Sequence, residues 1–74
     1  MRGAQHLTLS TANFSAADAR RVTCLVIRLG GVRYAATALG IGDDTLLAAR
    51  GQGRMLVKTR DRILAALDRV EAAA

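Results

Sequence analysis

Ala35-Ala36-Thr37-Ala38-Leu39-Gly40-Ile41-Gly42-Asp43-Asp44-Thr45-Leu46-Leu47-Ala48-Ala49 holds two short helical patterns separated by a glycine. Val32, Ala35, Ala36 and Leu39 recur at the i, i+3, i+4, i+7 spacing of one helix face. Gly40 stops that helix, because a residue without Cβ enters the left-handed region at little cost. Ile41 follows as an apolar plug. A second short helix begins at Asp43 or Asp44, either of which suits an N-cap, and buries Leu46 and Ala49. Ala36 stands where the two helices would cross, and a larger side chain there would push them apart. Two short helices, a tight glycine turn and alanine at the crossing predict a helix-turn-helix.

Composition narrows the class. At 74 residues the chain makes one small domain with a thin margin of stability. It is 51% hydrophobic, has no proline and is only 3% aromatic, which reads as all-α. The formal charge of +5 favours a polyanionic partner, nucleic acid ahead of an anionic membrane surface. No apolar run is long enough to span a bilayer, and the N-terminus lacks a continuous apolar signal core. One cysteine allows no internal disulfide, so a cytoplasmic location is expected.

Outward from the central stretch, the expected fold is a compact four-helix domain over residues 15–74 with an N-terminal arm, residues 1–14. In the arm, His6-Leu7-Thr8-Leu9-Ser10-Thr11 alternates polar and apolar residues, a short strand signal with no second strand in the chain to pair with. It is read as loose, or as pairing with its own copy in a dimer. Ser15-Ala16-Ala17-Asp18 resembles a capping box, with Phe14 at the staple position. The helix it starts carries Val22, Leu25, Val26 and Leu29 on its apolar stripe and turns Arg20, Arg21 and Arg28 to water. Cys24 is read as a small buried or half-buried residue. Gly30-Gly31 ends this helix, and the next two run over about 32–39 and 43–50. Arg54-Met55-Leu56-Val57-Lys58 is a connector, and Thr59 caps a last helix burying Ile63, Leu64, Leu67 and Val70.

The run Gly51-Gln52-Gly53-Arg54-Met55-Leu56-Val57-Lys58-Thr59-Arg60-Asp61-Arg62-Ile63-Leu64-Ala65-Ala66-Leu67 joins a Gly-x-Gly turn to a Thr-Arg-x-Arg-Ile helix start. With Ala36, Gly40, Ile41, Thr45 and Leu46, it makes residues 33–70 resemble the DNA-binding headpiece of the lactose-repressor type and, more broadly, phage-repressor-like helix-turn-helix domains. The connector is shorter than in that pattern, and Leu56 stands where the pattern has a capping serine. The resemblance implies that Asp43, Asp44, Thr45, Leu47 and Ala48 face bases. Aspartate accepts from cytosine N4 and Leu47 or Ala48 touches a thymine methyl, but Arg, Gln and Asn are missing from these positions. It also implies phosphate contacts from Arg50, Arg54, Lys58 and Arg60. Arg33 and Tyr34 open the second helix, whose N-terminal amides would hold a further phosphate, with Tyr34 either donating its hydroxyl to it or packing against the first helix. Five of the eleven basic residues fall between Arg50 and Arg62, with Asp61 the one acid among them.

The expected function is a small stand-alone DNA-binding transcriptional regulator. Its third helix would enter the major groove, and a homodimer would read half-sites about one helical turn apart. Nothing after the last helix calls for an effector domain, so no small-molecule effector is expected. A rival reading keeps the helix-turn-helix as a protein-interaction or assembly module, because the third helix is apolar and acidic. No catalytic residues, metal site or cofactor are expected: His6 lacks partners at ligand spacing, and the glycines precede no Gly-Lys-Ser/Thr.

Overall fold

The computed structural model describes residues 10–73. Its elements run β1 (Thr11–Asn13), α1 (Ala16–Leu29), α2 (Val32–Leu39), α3 (Asp43–Arg50), β2 (Arg54–Leu56) and α4 (Val57–Ala73). The chain is mostly helical, with a two-stranded sheet added to the all-α expectation. None of the described helices is long and apolar enough to cross a membrane.

Local chemistry sets the helix ends. Ser15 caps α1, its Oγ accepting from the Asp18 N–H at 3.0 Å. At the other end Gly30 takes φ +90°, and the Gly30 and Gly31 amides both donate to the Val26 carbonyl. The chain axis turns by 113° there between α1 and α2. Gly40 ends α2 at φ +71°, where its N–H donates to Thr37 O and the Ile41 N–H to Ala36 O. Ile41 then folds back against the core, the apolar contact that accompanies such a stop. The start of α3 departs from expectation. Gly42, not an aspartate, occupies the N-cap with no side-chain cap, and Asp43 and Asp44 lie in the first turn. There they favour the helix dipole without capping it.

One apolar core joins all four helices. Phe14, Val22, Leu25, Ala35, Ala36, Leu39, Leu46, Ala49, Ile63, Ala66 and Leu67 are buried together, and no polar or charged described residue is buried. Ala36 is 1% exposed, so its small side chain is tightly enclosed in the core. Cys24, by contrast, is exposed. It lies about 200° around α1 from Val22, on the side away from the core.

Two further expectations fail because their partners are distant in sequence. Thr11–Asn13 of the supposed arm pairs antiparallel with Arg54–Leu56 of the supposed connector, in the register Thr11↔Leu56, Ala12↔Met55, Asn13↔Arg54. His6 and the rest of the alternating stretch before Ser10 lie outside the described residues. The Val57 N–H donates to Ser10 O at 3.0 Å, extending the pairing. That bond satisfies an amide that would be orphaned at a helix start, so α4 begins at Val57 and Thr59 lies inside it.

Arg21 does not simply face water. It bonds Asp18 at 3.0 Å on its own helix, and Asp68 at 2.7 Å and Glu71 at 2.8 Å on α4. Hydrogen bonds to Glu71 first, then Asp68 and Asp18, push the guanidinium pKa up. Conversely, the hydrogen bond from Arg21 holds the Glu71 carboxyl below its ordinary 4.5. This cluster fastens α1 to α4 on the surface.

Candidate nucleic-acid interface

The rotation of α3 follows from its burial pattern. Leu46 and Ala49 are 0% exposed against the core, so Asp44 and Leu47 project from the opposite side, with Leu47 half-exposed. Ala48 shares that side but is partly covered, because the chain turns back across it. Gly53 N–H donates to Ala48 O at 2.8 Å, and a Cβ built at Gly53 would sit 3.3 Å from that oxygen. Thr45 is half-buried at the flank of the helix.

The turn after α3 reuses the geometry of the Gly40 turn with a different residue. Gln52 takes φ +57°, its N–H donating to Ala49 O, while the next amide reaches Ala48 O. A non-glycine residue there costs roughly 1 kcal/mol. Two amide side chains offset the cost. Asn13 Nδ2 donates to Gln52 O at 2.6 Å, and Gln52 Nε2 donates to Phe14 O at 3.2 Å. The clasp binds the turn to the N-terminal strand and so sets the direction in which β2 leaves. Sequence reading missed it, and its one trace is a lone glutamine between two glycines.

On either side of the turn, Arg50, Arg54 and Lys58 are exposed and make no ion pair among the described residues. They come from the end of α3, from β2 and from the start of α4, elements that the sheet and clasp hold in succession. Arg60 differs. It is half-buried and pairs with Asp61 at 3.1 Å, which leaves less of its charge for an external anion. Arg62 is exposed one turn beyond Lys58.

Arg33 is well exposed at the start of α2 and stands 3.9 Å from Asp43. That distance is beyond hydrogen bonding, so the acid is partly offset rather than tied down. Tyr34 is 64% exposed, and its ring edge lies 3.5 Å from where a Cβ on Gly31 would stand. Its ring therefore covers the α1–α2 joint.

Around α3, then, acids stand at the N-terminal tip and unpaired cations at the C-terminal end. An anion approaching from that side is attracted at one end and repelled at the other. No group of three potential metal ligands occurs among the described residues. Comparison of the chain with protein-family models, with curated proteins and with solved structures finds no match.

Proposed function

We propose that this chain is a helix-turn-helix DNA-binding domain acting as a transcriptional regulator in the cytoplasm, with α3 lying in the major groove of duplex DNA. One observation carries the reading. Ala35, Ala36 and Leu39 of α2 and Leu46 and Ala49 of α3 are buried in one core, while the far side of α3 is open and leads into exposed Arg50, Arg54 and Lys58. Phosphate contacts fall to these cations, with Arg33, Tyr34 and a partly neutralised Arg60 at the margins. A single module of this size makes few contacts, so the reading includes a homodimer on two half-sites.

A mobility-shift titration on random duplex DNA at two salt concentrations tests it. Three phosphate contacts per protomer give a log–log salt slope of about −2.7, so affinity per protomer falls about 40-fold between roughly 50 and 200 mM salt. Absence of a shifted complex at low salt, or a complex indifferent to salt, would refute the reading. The protein-interaction alternative draws on exposed Ile27 and Leu47. Its mark is a partner complex that survives high salt and is lost on Leu47→Ser.

A further inference from the structure

The open face of α3 pairs an acid with an apolar side chain. Asp44 and Leu47 are i, i+3 neighbours on the helix, with Cβ atoms roughly 5–6 Å apart, and both are exposed. Their orientation is fixed from behind by Leu46 and Ala49. Asp43 is partly offset by Arg33, whereas Asp44 makes no ion pair among the described residues.

An unpaired carboxylate entering a groove lined by phosphates is unfavourable unless it meets a donor. Base edges in the major groove offer two kinds of amine. Adenine N6 sits beside the N7 acceptor, which repels a carboxylate, whereas cytosine N4 sits beside the apolar C5 edge. Guanine presents two acceptors there, and thymine an acceptor with a methyl. A carboxylate next to a leucine therefore matches an amine next to a methyl. Resting on the DNA-binding reading above, we propose that Asp44 and Leu47 together read a cytosine amine beside a C5 methyl. Cytosine N4–H donates to the Asp44 carboxylate while Leu47 covers the methyl. That methyl belongs either to the same base, 5-methylcytosine, or to a thymine next to an unmodified cytosine.

The test selects duplexes from a random pool and resynthesises the enriched site in four forms, combining cytosine or 5-methylcytosine with thymine or uracil. The form with cytosine and uracil should bind about fivefold more weakly than the form carrying the methyl that is read, the low end for one base contact. Recovery with 5-methylcytosine alone assigns the methyl to the same base; recovery with thymine alone assigns it to the neighbour. Leu47→Ser should erase the methyl dependence. Asp44→Ala should abolish cytosine enrichment in the selection, while raising affinity for duplexes without that cytosine, where the carboxylate meets only repulsion. Equal binding of all four forms, a methyl preference that survives Leu47→Ser, or cytosine enrichment that survives Asp44→Ala overturns this proposal and leaves DNA binding standing. Failure to bind any duplex overturns the DNA-binding reading itself.

Discussion

Leu46 and Leu47 are adjacent in sequence, yet truncating each to alanine should have very different effects. Leu46 is 0% exposed in the core, whereas Leu47 is 50% exposed. Leu46→Ala removes buried methyl groups and leaves a cavity between α3 and the helices it packs on, at a cost of about 2–5 kcal/mol. A domain of this size has roughly 4–11 kcal/mol in total, so the loss is a large fraction of its stability. At about 4–8 °C per kcal/mol for small domains, even the lower end lowers Tm by about 8–16 °C. Leu47→Ala should stay within about 1 kcal/mol, as surface truncations do. Thermal melts followed by far-UV circular dichroism, with denaturant midpoints as a second measure, separate the two. If both variants melted together, or Leu47→Ala cost more, α3 would be rotated by about 100°, one residue, about its axis. The proposed base-facing side of the helix would then be wrong as well.

Ala36→Leu should destabilise by about 1–3 kcal/mol through overpacking, and Gly40→Val by at least about 1 kcal/mol at its left-handed backbone; parental denaturant midpoints in both would show that α2 and α3 do not cross at Ala36. Asn13→Ala removes the donor to Gln52 O and should cost about 0.5–1.5 kcal/mol, seen as faster tryptic cleavage after Arg54; unchanged cleavage would mean the clasp does not restrain β2. Alanine at Arg50, Arg54 or Lys58 should each reduce the salt slope of DNA binding by about one contact, with a smaller change for Arg60, which Asp61 already holds; parental affinity after replacing the first three together would remove this edge from the interface. Because Arg21 holds Glu71 below its ordinary 4.5, the stabilisation it brings is full above that value and is lost as pH falls through the lower folded-state pKa. The parent's Tm should therefore fall more steeply than that of Glu71→Gln as pH drops from about 5 to about 3, and parallel curves would refute the coupling.

What the sequence disclosed was what adjacent residues decide among themselves. The stop at Gly40, the plug at Ile41 and the inward pair Leu46 and Ala49 all follow from spacing within one or two turns. The rest depends on partners far along the chain. Thr11–Asn13 becomes a strand only because Arg54–Leu56 lies beside it, and Arg21 meets acids that sit a whole domain away on α4. Residue type likewise suggested a buried or half-buried Cys24, while helical phase puts it outside. In the candidate site, the run of cations was visible as a cluster. Which of them stay unpaired was not, since Arg60 is held by Asp61. Nor was the half-burial of Ala48, which comes from the path of the backbone through Gly53.

The clasp between Asn13 and Gln52 spans 39 residues of chain, and that separation bears on the order of folding. Closing such a loop from the unfolded chain costs about 3 kcal/mol in entropy plus a constant, whereas α1, α2 and α3 meet across turns of only a few residues. Those three helices should therefore dock first and bring the strands within reach, leaving the sheet with φ-values near zero. It would be the last element to form and the first to open. Arg54 and Lys58 take up their places beside α3 only when the sheet closes. A chain caught before that step would present the acidic tip of α3 without the cations that balance it, and under the proposed function only the finished fold would hold a polyanion.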